Sequence, residues 1–149
     1  MLRVVLDANV FVGAYINPEG TPGQIIESSL RDGSFELVLS EPIIDEVLEA
    51  LAYPKVQKAG RSTIEPALWF EDLVVLSQLV GDEIAVPRLS GDPVDDQYIT
   101  CAIAGRATFV VTGDLDLLSV RPHEGVRIVT PRSFLDVIAH CRSRLARGH

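Results

Sequence analysis

Short apolar runs rich in β-branched residues alternate along this chain with segments of helical period, and that alternation points to a parallel sheet with helical crossovers. The first run is Arg3-Val4-Val5-Leu6, and it stops at Asp7. Further strands are expected at residues 35–39, 84–86, 108–111 and 126–129. Between them fall helical segments. One follows Asp7 to about Tyr15, and one spans residues 24–31 and stops near Gly33 after a loop at residues 17–23. Another starts from a Ser40 cap with Pro42 in its first turn. It shows an apolar stripe of Ile43, Ile44, Val47, Leu48 and Leu51 and ends before Pro54. The series Ser62-Thr63-Ile64-Glu65 reads as a capping box that opens a helix to about Val80. Asp92-Pro93-Val94-Asp95 starts a helix that reaches Ala104 and stops at Gly105, and Thr130-Pro131 opens the last one. The expected fold is α/β: a three-layer α/β/α sandwich around a central, mostly parallel sheet of four to five strands.

At 149 residues, with neither internal repeat nor linker, the chain reads as a single domain over residues 1–141, followed by a basic tail at 142–149 that is expected to fray. Apolar residues at 47% against 23% charged place it with ordinary globular proteins. No apolar run is long enough for a bilayer span, and residues 1–7 do not form a signal peptide, so the expected compartment is the cytoplasm. Cys101 and Cys141 lie far apart and outside any CxxC pair; Cys101, in an apolar helical stretch, reads as a buried free thiol. The formal charge of −8 counts against a generic nucleic-acid binder, unless the acids gather at one site where cations reverse the local field.

The acids do fall at telling places. Val4-Val5-Leu6 leads into Asp7, and Phe109-Val110-Val111 leads through Thr112-Gly113 into Asp114, with Asp116 next but one. In a parallel sheet both strand ends face the same edge, where sites of such folds lie. Glu46, in the second turn of its helix, and Asp96, in the first turn of its own, come from helices that begin near that edge. Like charges so gathered raise one another's pKa, and Mg²⁺ or Mn²⁺, which prefer hard oxygen ligands, relieve the repulsion.

Four segments in this order carry a resemblance: Leu6-Asp7-Ala8-Asn9-Val10, Ile43-Ile44-Asp45-Glu46-Val47, Asp95-Asp96-Gln97-Tyr98-Ile99, and Val111-Thr112-Gly113-Asp114-Leu115-Asp116-Leu117-Leu118. Together they resemble the PIN-domain family, whose prokaryotic members include the VapC-type toxins, over about residues 2–136. The resemblance implies that Asp7, Glu46, Asp96 and Asp114 bind Mg²⁺ or Mn²⁺ as the catalytic acids of a ribonuclease. It also implies a cut leaving a 5′-phosphate and a 3′-hydroxyl. Asp116 matches a further acid and is assigned a supporting or second-metal role; Asn9 and Thr112 match polar positions that orient the ligating acids. A protein antitoxin and a homodimer are implied on the same ground.

Each residue has a plainer reading. Asp7 suits a helix cap, Asp114 and Asp116 suit a turn, and Glu46 shares its helix with Glu41, Asp45 and Glu49, which solvent accounts for. Asp95, at N3, supports its helix and Asp92 caps it, which leaves Asp96 as the ligand. Lys55, Lys58 and Arg61 are candidates for RNA contact and equally for a solvated face, whereas for the basic tail of Arg142, Arg144 and Arg147 the solvated reading is the stronger one. His123 and His140 read as surface residues and Trp69 as core. A phospho-acceptor receiver also places acids at strand ends, but it needs a lysine after a late strand, where this chain has Asp114. A PIN-like scaffold that binds RNA or protein without cutting is the remaining alternative.

Overall fold

The computed structural model describes residues 2–60, 63–81, 93–120 and 125–147. Its order is β1 (Arg3–Leu6), α1 (Ala8–Ile16), α2 (Thr21–Asp32), β2 (Glu36–Ser40), α3 (Glu41–Leu51), α4 (Pro54–Ala59), α5 (Pro66–Leu76), β3 (Gln78–Val80), α6 (Pro93–Ala104), β4 (Phe109–Val111), α7 (Leu115–Leu118), β5 (Arg127–Val129) and α8 (Pro131–Arg147). The strands form one five-stranded sheet in the order β3-β2-β1-β4-β5, with every pair parallel. The expected α/β sandwich is present, with the sheet parallel throughout.

Strand composition follows position in the sheet. The central strands are apolar on both faces: Val4, Val5 and Leu6, Leu37, Val38 and Leu39, and Val110 and Val111 are all buried. A strand covered by helices on both sides has no face left for polar residues. The edge strands β3 and β5 are only half-covered. Right-handed crossovers send the helices of the β1→β2→β3 leg and those of the β3→β4 leg to opposite faces. Accordingly α1 packs on α2 and α3, α2 packs on α8, and α6 lies across β1, β2 and β4. Edge-to-face rings tie the helices into the core: Phe11 with Phe70 at 5.2 Å, and Phe134 with Phe35 at 5.2 Å. Trp69 is half-buried against Tyr15, in keeping with a core role, and Cys101 is buried and outside any disulfide.

Several boundaries depart from the expected ones. The helix expected to run from the Ser62 capping box to Val80 begins at Pro66 and ends at Leu76. Proline supplies the reason: it fits the first helical turn and holds the preceding residue extended, and Glu65 has ψ 138°. Residues 78–80 then form the edge strand β3, paired with β2 from Val38–Gln78 to Ser40–Val80. The strand expected at residues 84–86 lies outside the described residues, as do Ser62, Arg61, Asp92 and His123. Helix α2 opens at Thr21, inside the expected loop, with Pro22 in its first turn. The short helices α4 and α7 were not foreseen, and α8 stays helical to Arg147 where a frayed tail was expected from Arg142.

The end of α6 shows packing overriding local preference. The helix closes with Ala107 N–H donating to Ala102 C=O at 2.7 Å and Arg106 N–H to Ile103 C=O at 3.2 Å, a Schellman arrangement. Its left-handed position is held by Arg106, at φ 55°, rather than by the neighbouring Gly105. Gly105 is needed for space instead: a Cβ there would sit 2.3 Å from Val38 Cγ1. Gly105→Ala is expected to destabilise the protein by about 1–3 kcal/mol through overpacking. Arg106→Gly is expected to stabilise it by up to about 1 kcal/mol by relieving the left-handed strain. Urea unfolding midpoints of the two variants should therefore move in opposite directions.

Candidate active site

In this strand order the chain leaves β1 toward β2 on one side and comes back to β4 on the other. The gap above the carboxyl ends of β1 and β4 is therefore the topological switch point, where sites of such folds lie. Register brings the two strands to that edge together: Val4 pairs with Phe109, Val5 with Val110 and Leu6 with Val111. The next residues are Asp7 and Thr112. Asp7 N–H continues the ladder to Val111 C=O at 2.9 Å, and Thr112 N–H does so to Val129 C=O at 2.9 Å.

Asp7 is 5% exposed. It is the N-cap of α1, with Oδ1 accepting from Asn9 N–H at 3.3 Å. Its Oδ2 accepts from the hydroxyl of Thr112 at 2.6 Å. Thr112 is fully buried, and its Oγ1 in turn accepts from Asp114 N–H at 3.0 Å. One hydroxyl thus joins the acid after β1 to the backbone of the acid after β4. Asp114 is half-buried and caps α7, with Oδ1 accepting from Asp116 N–H at 2.9 Å. The plainer cap and turn readings of Asp7 and Asp114 are therefore realised together with their convergence on one edge. Asp116 is exposed in the first turn of α7, and Asn9 is exposed on α1.

Glu46 reaches the same edge from the other side. Tyr98, on α6, donates its hydroxyl to Glu46 Oε2 at 2.7 Å and accepts from Ala8 N–H at 3.2 Å. Gln97 Nε2 also donates to Glu46 Oε2. Ala8 opens α1, so its N–H has no partner within that helix, and the tyrosine supplies one. Burial pushes the Tyr98 hydroxyl well above its ordinary pKa, and the negative charge of Asp7 adds to this. The Ala8 N–H opposes the shift, and the bond to Glu46 and its charge reinforce it. Tyr98 thus remains protonated and acts as a fixed donor to Glu46. Neither Gln97 nor Tyr98 was given a role from the sequence. The available signal was a tyrosine at the start of an apolar helical stretch, since a buried tyrosine hydroxyl requires a partner.

The backbone of Asp96 lies in the first turn of α6, immediately before Gln97 and Tyr98, while its side chain lies outside the described residues. Among the described residues, no three His, Cys, Asp or Glu side chains stand close enough together to hold a metal ion. In donor chemistry the set is uniform: Asp7, Glu46, Asp114 and Asp116 offer only carboxylate oxygens, the ligand type that divalent Mg²⁺ and Mn²⁺ prefer and zinc-type sites do not. Lys55 and Lys58 are exposed on α4, which packs against α1 and α3. Among the described residues no helix is long and apolar enough to cross a membrane.

Comparison with known proteins agrees with this layout. A family model described as PIN domain matches residues 3–116. That span holds β1 through β4 and every acid of the proposed site. An uncharacterized protein of Methanocaldococcus jannaschii, MJ1680, is 28% identical over 145 residues, covering 91% of this chain and 90% of its own. The crystal structure of PAE2754 from Pyrobaculum aerophilum is similar with a TM-score of 0.56 at 16% identity, covering 93% of this chain and 90% of that one, a likeness of fold. The chain belongs to the PIN-domain family, a nuclease-type fold whose members typically use divalent metal ions.

Proposed function

We propose that this protein is a ribonuclease that hydrolyses RNA phosphodiester bonds with Mg²⁺ or Mn²⁺, leaving a 5′-phosphate and a 3′-hydroxyl. In this reading it acts in the cytoplasm as the toxin of a type II toxin–antitoxin pair, held by a protein antitoxin and assembled as a homodimer. The observation that carries the nuclease reading is the bridge from Asp7 through Thr112 to Asp114. It joins acids more than a hundred residues apart at the switch point of the sheet. Family membership supports the reaction class.

Asp7, Glu46, Asp96 and Asp114 would hold the cation, with Asp116 in support. A divalent cation there supplies Lewis acidity, neutralising phosphodiester charge and easing ionisation of the attacking water. The chain's own residues orient the acids. Thr112, as donor, fixes the plane of the Asp7 carboxylate. Tyr98 and Gln97 hold Glu46 from α6 and so tie the acid on α3 to that helix. Asn9 contributes its backbone N–H to Asp7. Lys55 and Lys58, with Arg61, would meet phosphates of the bound strand.

Cleavage of a mixed RNA pool by the purified protein is expected only with Mg²⁺ or Mn²⁺, abolished by chelator and by Asp7→Asn. Tight RNA binding without metal-stimulated cutting would assign the protein to a non-catalytic scaffold. Thr112→Val keeps the side-chain shape but removes the donor to Asp7, and Tyr98→Phe does the same for Glu46. Each is expected to lower activity or metal affinity about 10–100-fold. A Mn²⁺ titration of the folded variants checks this, and an unchanged apparent metal affinity in both would show that these hydroxyls serve the fold alone.

A further inference from the structure

A groove of about 450 Å³ runs along α3 beside the proposed site, lined by Pro42, Asp45, Glu46, Glu49, Tyr53 and Gln97 among others. Glu46 and Tyr53 both line it, and Tyr53 is 59% exposed. The two are seven positions apart, Tyr53 lying just past the end of α3. Tyr53 stands on a pinned backbone. Pro54 follows and holds it extended at φ −61°, ψ 133°, and its carbonyl accepts from Val56 N–H at 3.0 Å and Gln57 N–H at 3.2 Å. An exposed aromatic on a rigid turn, beside a nuclease site and followed by the exposed Lys55 and Lys58, has the elements of a single-strand stacking platform.

The charge of the groove decides what it accepts. Asp45 and Glu49 flank it and repel phosphate, so the part of a nucleic acid that suits it is the base. Carboxylates accept from base-edge N–H groups, as Asp and Glu do from the cytosine amino group. The two lysines beyond Tyr53 suit the phosphates that follow. We propose that Tyr53 stacks an unpaired base of the RNA strand within a few nucleotides of the scissile phosphate, and that Asp45 and Glu49 favour bases bearing an exocyclic amino group. Tyr53 is a positioning and specificity residue. The inference rests on the nuclease reading for its substrate class, and it selects single-stranded over duplex RNA, because a paired base has no free face.

The test uses single-stranded RNA oligonucleotides carrying 2-aminopurine, whose fluorescence is quenched by stacking. They are titrated with Asp7→Asn protein in chelator, so that no cutting is needed. Quenching and tight binding are expected, with affinity about tenfold weaker when Tyr53→Ala is added and restored by Tyr53→Trp. The duplex form is expected to show no Tyr53-dependent quenching. Oligouridine is expected to bind more weakly than oligocytidine, a preference that Asp45→Ala and Glu49→Ala together remove. Tyr53→Ala with unchanged quenching and unchanged affinity, or no binding of single strands at all, would overturn the inference. The two readings fail separately. Tyr53-dependent quenching without metal-stimulated cleavage leaves the platform standing and removes the nuclease; cleavage with a KM indifferent to Tyr53→Ala does the reverse.

Discussion

The parallel pairing of β1 with β4 is the constraint on which the rest depends. Because Leu6 lies opposite Val111, both strands stop at the same height, and the residues that follow them emerge side by side. A slip of one residue would turn Asp7 toward the opposite face and separate it from Thr112. Register is protected by burial: Val4, Val5, Leu6, Val110 and Val111 are completely enclosed, so a shifted pairing would drive polar residues into a sheet covered on both sides. The hydrophobic core thereby sets the geometry of the carboxylates.

The carboxylates in turn serve the fold. Asp7 and Asp114 each follow a strand and each start a helix, and each gives one oxygen to the backbone of that helix. An acid at a helix N-terminus meets unsatisfied N–H groups and the positive end of the helix dipole, which offsets part of the cost of burying it. Asp7 then has its second oxygen on the Thr112 hydroxyl. The structural duty and the proposed ligand role fall to one side chain rather than being divided between neighbours. Tyr98 applies the same economy from α6: a single hydroxyl satisfies the first N–H of α1 and orients Glu46 on α3, so three helices are coupled at one atom.

Apolar runs mark the central strands clearly and the edge strand β3 poorly. The runs around residues 3–6, 36–40 and 109–111 are apolar on both faces and unmistakable, whereas residues 78–80 continue a Leu- and Val-rich helical pattern and become a strand only by adding to the edge of β2. The site divides in the same way. Asp7 and Asp114 are legible because a strand end locates them within the chain, and Glu46 because its segment takes part in the family resemblance. Gln97 and Tyr98 have no such local marker. Their importance lies in partners or surroundings far away in sequence, Glu46 standing 52 positions from Tyr98.

By itself the sequence determined that this chain would build a parallel sheet, that carboxylates would follow two of its strands, and that both would face one edge. These follow from the period of apolar residues and from the direction shared by parallel strands. Only the tertiary structure decided that β1 and β4 are neighbours, that Thr112 bridges their acids, and that Tyr98 and Gln97 reach Glu46. The reason is physical: periodicity is a local property of the chain, while strand order and hydrogen bonding between distant side chains are chosen by packing.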